Sequence, residues 1–254
     1  MSEQPIVYPR RISHAPDILV IGAGIIGLSI ARALDSLGFR VDVLEAHSPG
    51  AGATNAAAGM LSPVAESHER PEFLKVLVQA RDLWPRWAEQ LQTETAFDVD
   101  HQSAGALLPA FDTAEMEYLD KIRAAAESLG EPVESVDSQS LQAQYPEVSP
   151  KVRQALFLAN EASVDNSRVT EALSEALFRR GVIVHRQRQA TKIQRSGDSL
   201  ITSGEGWRVA SQHVVVAAGA WSTKIAGLPK IPLAPIRGQM ISFDVPEWQW
   251  SGSI

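Results

Sequence analysis

The sequence predicts an α/β protein: a β–α–β unit and a later β-meander, with an α+β region between them. Three observations carry this. A short apolar run, Ile18 to Ile21, leads into Gly22-x-Gly24-x-x-Gly27 and an apolar-periodic helix. A second apolar strand, "RVDVLE", follows and ends on Glu45. Far downstream, short alternating runs separated by "SGDS" and "GEG" end in "VVVAAGAWS".

Composition narrows the partners. The 254 residues carry a net charge of −7. That argues against nucleic acid, which wants a basic face. There is no cysteine, so disulfide and thiol chemistry are excluded, and a cytoplasmic location is expected. The apolar run Ile18 to Ala31 is shorter than the ~20 residues of a membrane span and holds three glycines. Residues 1–16 read as a flexible extension. Arg10 and Arg11 hint at a twin-arginine export signal, but the apolar run behind them is better explained as a strand and turn.

In the β–α–β unit, Gly22 permits a tight turn and Gly24 lets an anion approach the backbone. Gly27 lets the helix pack close to the strand. The helix start, with Ile25 and Ile26, offers N–H groups and a favourable dipole to a pyrophosphate. Ile26, Ile30, Ala33 and Leu34 stand at helical spacing, and Gly38 suits the C-terminal cap. Glu45 lies eighteen residues past Gly27, where an acid accepts from ribose hydroxyls. Together these residues point to dinucleotide binding. An acid at this place disfavours a 2′-phosphate and hence NADP.

The next stretch, "AHSPGAGATNAAAGMLSPVAE", is not amphipathic. Thr54 and Asn55 are candidate N-caps for a short helix from Ala56. Small residues there let a flat ring lie against the backbone; the alternative is a helix packed on a close neighbour. With Glu45, Thr54-Asn55 and "AAAGML" in this order, the sequence resembles the FAD-dependent D-amino-acid oxidase superfamily, and within it glycine oxidase most closely. The resemblance implies a Rossmann-like FAD-binding domain of the glutathione-reductase type with an α+β substrate domain. It implies Glu45 and Ala46 at the adenosine ribose, Ala53 and Thr54 at the pyrophosphate, and Ala58, Gly59 and Met60 by the isoalloxazine. Ala53 has no hydroxyl where the family often has one, so only its backbone N–H could serve.

Beyond this, residues 72–94 carry Phe73, Leu77, Ala80, Trp84, Trp87 and Leu91 as a helical stripe, kinked or restarted near Pro85. The two tryptophans are expected in the core. "AGALLPAF" and "VRQALFLA" read as strands, 113–129 as an amphipathic helix, and "EPVESVDSQSLQAQYPEVSP" as loop and short helix. A helix capped by Asp165 or Asn166 ends at Gly181. The meander then leads to a buried strand, Val214 to Ala217. The basic run 185–195 is read as an exposed strand edge. "VVVAAGAWS" is the second motif of the resemblance, which places Ala218 and Gly219 against the dinucleotide, Trp221 near the ring system and the Ala190 backbone at the adenine. "IPLAPIRGQMISF" matches the family line P-x-[RK]-G-[QE], a strand entering the substrate domain.

The expected division is 17–68 with 163–229 for FAD, and 69–162 with 230–254 for an incomplete substrate domain. No catalytic residue is assigned. The family's carboxylate-clamping Arg and Tyr are not found, and Arg237 is the structural basic residue of "PIRG". His68 and His101 are expected to be solvated, and no metal-ligand spacing is present. The resemblance implies oxidation of glycine or another small amine to an imine by hydride transfer to flavin. O2 would be the acceptor, giving H2O2, with a link to thiamine biosynthesis. Alternatives are a truncated flavin-binding half-enzyme, a sarcosine oxidase or D-amino-acid dehydrogenase, and, least fitting, an NAD dehydrogenase. Weak or absent turnover with glycine, sarcosine and D-alanine is expected, together with self-association, as a homo-oligomer or aggregate, through an unpaired "IRGQMISF" edge.

Overall fold

The computed structural model describes residues 15–241. They form two compact units, one from the chain up to Ala56 with Val169–Gln239, the other from Ala57–Arg168.

The first unit opens with β1 (Ile18–Ile21), α1 (Ile25–Ser36) and β2 (Val41–Leu44). Every residue of β1 is buried, as a central parallel strand requires. It pairs in parallel with β2, Ile18 opposite Val41 and Ile21 opposite Leu44. Asp17 and Arg40 brace the entry. Two side-chain hydrogen bonds from Arg40 and one from its backbone N–H pull the Asp17 carboxyl down to about 2. The inward face of α1 is Gly27, Leu28 and Ala31, not the expected Ile26–Ile30–Ala33–Leu34 stripe. Gly27 must lie on the strand, which rotates Ile26 into solvent. Gly38 ends the helix at φ +88°. After β2, a single turn, α2 (Ala53–Ala56), closes this part.

The second unit runs through β3 (Met60–Leu61), α3 (Pro63–Ser67) and α4 (Pro71–Thr95). It continues with β4 (Ala106–Ala110), α5 (Thr113–Leu129), β5 (Val133–Asp137), α6 (Ser138–Gln144), β6 (Gln154–Leu158) and β7 (Ala162–Ser163). The antiparallel sheet has the order β4-β6-β5, and β3 pairs with β7. Leu74, Leu119, Ile122, Leu156 and Leu158 form one core; Leu107, Val136, Leu141 and Ala155 form another. Strand β5 escaped the sequence because Glu134, Ser135 and Asp137 face water and only Val136 is buried, so no two-residue alternation shows. Helix α4 passes Pro85 without a break, forgoing only the bond to the Arg81 carbonyl. Its inward face is also not the expected one: Phe73 and Ala80 are exposed, while Leu74, Arg81 and Leu91 are buried. Trp84 and Trp87 meet edge-on at 4.7 Å and are half-buried.

Helix α7 (Asn166–Arg179) is capped by Asp165, whose Oδ1 accepts from the N–H groups of Ser167 and Arg168. There follow β8 (Ile183–His185), β9 (Lys192–Ser196), β10 (Ser199–Gly204), β11 (Trp207–Ser211) and β12 (His213–Val216). The parallel sheet has the order β12-β1-β2-β8, and β9–β11 form the antiparallel meander. Leu19, Ile21, Leu44, Ile193, Val209 and Ile225 share a core. Val214, Val215 and Val216 are half-buried, not buried, because β12 is the sheet's edge among the described residues.

The unit changeovers fall at 56/57, 168/169 and 239/240, against the expected 68/69, 162/163 and 229/230. Residues 57–68 go with the second unit because β3 pairs with β7 and α3 packs on α4. Residues 229–241 hold no strand. Pro229, Pro232 and Pro235 each remove a ladder donor there. The remainder of the expected strand, and 1–14 of the expected extension, lie outside the described residues.

A charged cluster sits inside the second unit. Arg81 is 5% exposed and Glu161 0%. Arg81 Nη2 donates to both oxygens of Glu131 at 3.0 and 2.9 Å, and Nη1 stands 3.5 Å from Glu161 Oε1. Burial pushes the Glu161 carboxyl up to about 7, and Glu131 adds to that push; the Val64 N–H, Ser62 and Arg81 pull the other way. Because the folded pKa lies above 4.5, Glu161 favours the folded state below that value and loses this as pH rises through 7. The E161Q variant should therefore gain about 3 kcal/mol on wild type between pH 4.5 and 8. Denaturant melts of both proteins across that range check it; parallel curves would refute it.

Candidate functional site

The strand β1, the turn and the start of α1 are held by backbone contacts that leave no room for side chains. A Cβ on Gly22, at φ +105°, would lie 2.4 Å from the Ala217 carbonyl oxygen. One on Gly27 would lie 1.9 Å from the Gly22 oxygen. These two glycines are demanded by the fold itself. Gly24 differs: a Cβ there would meet only the Thr54 Oγ1, at 3.1 Å. Its side is the open one.

The segment after β2 is tied to this turn three times. Glu45 Oε2 accepts from the Ala23 N–H at 2.8 Å. The Gly50 N–H donates to the Ala23 carbonyl at 2.9 Å. Thr54 Oγ1 accepts from the Ile25 N–H at 3.0 Å. So Thr54 caps α1, across twenty-nine residues, rather than the short helix it was expected to start; α2 already begins at Ala53. The second Glu45 oxygen accepts from the His47 N–H at 2.9 Å. Both oxygens are fixed in direction, yet a carboxylate has about four acceptor sites. Room is left for ribose hydroxyls.

The first turn of a helix has N–H groups with no partner inside the helix. Here Thr54 takes that of Ile25. Among the described residues the N–H groups of Gly24, Ile26 and Gly27 have no protein acceptor. Three amides at the positive end of α1, beside a glycine that leaves its flank open, fit a pyrophosphate. The residues present therefore fit a dinucleotide.

The other expected positions divide. Ala46 and Ala53 lie on the tied segment. The chain after β8 runs beside it: the Arg188 N–H donates to the Glu45 carbonyl at 2.7 Å and Gln187 to that of His47 at 3.4 Å. Ala190 comes next there, packed with Leu19, Ile21 and Leu44. Ala217 extends β12 through its N–H to Ile21, and Ala218 backs the Gly22 turn. Gly219 starts a 3₁₀ turn, Gly219–Lys224, from which Trp221, 53% exposed, reaches over Gly52. Ala58, Gly59 and Met60 belong to the second unit. Gly59 there has φ +80° and is pressed to the Val164 carbonyl.

Two expectations about histidine change. His68 is not solvated: both ring nitrogens are buried without a partner, and the ring meets Tyr118 edge-on at 5.0 Å. His101 is half-buried, and burial lowers its pKa. Among the described residues, no group of three His, Cys, Asp or Glu could hold a metal. Nor is any helix there long and apolar enough to cross a membrane. Arg237 is exposed on the strandless tail.

A glycine turn, a helix start and a terminal acid in this geometry define a dinucleotide-binding α/β domain. The chain matches the model of the DAO family, FAD dependent oxidoreductase, over residues 17–253, and it belongs to that family. Its cofactor is accordingly FAD. It is 24% identical over 238 residues to the glycine oxidase of Geobacillus kaustophilus, covering 92% of this chain and 63% of that one. It is 30% identical over 238 residues to the bifunctional protein ThiO/ThiG of Trichormus variabilis, covering 91% of this chain and 34% of the relative. The crystal structure of the Geobacillus glycine oxidase superposes with a TM-score of 0.80 at 26% identity, over 84% of this chain and 58% of that one. The chain thus spans about three fifths of the length of the glycine oxidase it matches.

The two kinds of glycine should separate on substitution. Gly27→Ala places a methyl on the Gly22 oxygen and should destabilise the fold by about 3 kcal/mol. Gly24→Ala should cost well under half of that, since only a Thr54 hydroxyl must yield. Urea melts of the two variants check the order, and equal losses would contradict it.

Proposed function

We propose that the protein oxidises the amine-bearing carbon of glycine or a related small amino acid. The observation that supports this most directly is the first turn of α1. Its three unclaimed N–H groups stand beside a pre-oriented Glu45, in a chain of the FAD-dependent family. Bound FAD supplies a hydride acceptor; O2 takes the electron pair on, so that amine and O2 become imine and H2O2.

This chain's residues bind and orient. Glu45 and Ala46 receive the adenosine ribose, and the Ala190 backbone receives the adenine. The N–H groups of Gly24, Ile26 and Gly27, with Ala53 and Thr54, surround the pyrophosphate, and Ala218 and Gly219 let the backbone come close. Thr54 holds the start of α1 in place, since its hydroxyl oxygen accepts from the Ile25 N–H. The resemblance implies that Ala58, Gly59 and Met60 lie by the flavin ring, and Ala58 and Gly59 bring almost no side chain to it. The resemblance to glycine oxidases and to a ThiO/ThiG protein supports a role in thiamine biosynthesis.

The visible spectrum of the purified protein is the first test: it should carry bound flavin. Gly24→Leu should remove the flavin while leaving a cooperative thermal transition, because its side chain fills the open flank. Ala58→Leu should weaken flavin binding without unfolding. Undiminished flavin in Gly24→Leu sinks the cofactor assignment. Peroxide release with glycine, sarcosine and D-alanine then tests the substrate class; turnover from this chain is expected to be weak or absent, and peroxide from another class of amine but from none of these three sinks the small-amino-acid reading.

A further inference from the structure

The strand β3 has only two residues and cannot define its own place. Its surroundings do. The Gly59 carbonyl accepts from the Val164 N–H at 2.9 Å, Met60 pairs with Ser163, and Leu61 pairs with Ala162. Beyond β3 the chain turns at once into α3. Ser62, the residue before that helix, makes no side-chain cap bond, and Pro63 has no N–H. Val64 is therefore the first helical residue with an amide to satisfy. Its N–H donates to Glu161 Oε1 at 3.3 Å, ninety-seven residues on and next to β7. Residues 59–64 are thus clasped at both ends by 161–164.

Glu161 is held from the other side by α4. Arg81 reaches it through Nη1 at 3.5 Å and is anchored by Glu131, which also accepts from Asn160 at 3.0 Å. A buried ion cluster is a weak device for stability alone, since apolar groups of the same volume often do as well. Such a cluster can serve instead to fix one register, and the register it adjoins here is that of β3.

We propose that Glu161, steadied by Arg81, is a positioning residue for the Ala58–Leu61 segment and, through it, for the flavin ring. This rests on the proposed function, in which Ala58, Gly59 and Met60 face that ring. Glu161 does not touch the cofactor; it sets the level at which the Gly59 turn and Met60 stand. The neighbouring Leu61–Val64 backbone transmits the placement over a few residues.

The test compares wild type with E161Q, which keeps an acceptor for the Val64 N–H, and with E161A, which removes it. E161A should bind flavin about tenfold more weakly, the loss of one buried hydrogen bond. Its bound flavin should also show shifted visible absorption and circular-dichroism bands, while E161Q restores both. A merely structural Glu161 would lower the melting temperature and leave those bands in place. If E161A does not fold, E161D serves, because its carboxylate is one methylene short of Val64. Unchanged flavin bands and affinity in folded E161A or E161D overturn the proposal. Wild-type protein that takes up no flavin at all overturns instead the reading on which it rests.

Discussion

At the glycine turn of the first unit, backbone lies directly against backbone. The carbonyl of Gly22 lies where a Gly27 side chain would begin, and the carbonyl of Ala217 lies where a Gly22 side chain would begin. Helix α1 can therefore start directly on top of the sheet, and β12 can close up beside β1. The consequence is electrostatic as much as steric. A helix brought this near to the ends of its strands aims its unpaired amides at one small volume. The Glu45 carboxylate, at the end of the next strand, lies at the rim of the same volume through its bond to Ala23.

The same turn organises the segment after β2. Glu45, Gly50 and Thr54 each bond to Ala23 or Ile25, so an alanine-rich stretch with little side chain of its own takes its shape from its neighbour. This explains a composition unsuited to either a surface helix or a core helix. Thr54 shows the economy of the arrangement, because one hydroxyl both closes the first amide of α1 and joins two parts of the chain.

Much of this was legible in the sequence, and the limits have physical causes. The glycine spacing and the terminal acid are local patterns dictated by one turn, so they survive in one dimension. The helix over 113–129 was legible because its amphipathic pattern is local, with Leu119 and Ile122 buried as that pattern requires. Partners distant in the chain were not legible. Arg81 on the inner face of α4 makes sense only once Glu131 and Glu161 are beside it, and periodicity counts it as an outward residue. The role of Thr54 as cap of another helix is invisible for the same reason. His68 looked like a solvated polar residue because nothing nearby in sequence announces Tyr118. Strand β5 carries too few apolar residues to mark itself and owes its conformation to β6.

The order β12-β1-β2-β8 joins the two ends of the described chain, with Ile18 opposite His213 and Ile21 opposite Val216. A ribosome makes these partners far apart in time. The first β–α–β unit emerges early, but the edge of β1 that β12 will occupy stays open until almost all the described chain has been made. Long-range parallel pairing of this kind is slow and leaves strand edges bare meanwhile. The second unit, whose sheet closes within residues 106–158, can fold during that interval. Among the described residues the site's glycine turn, packed on Ala217, is therefore one of the later features to form.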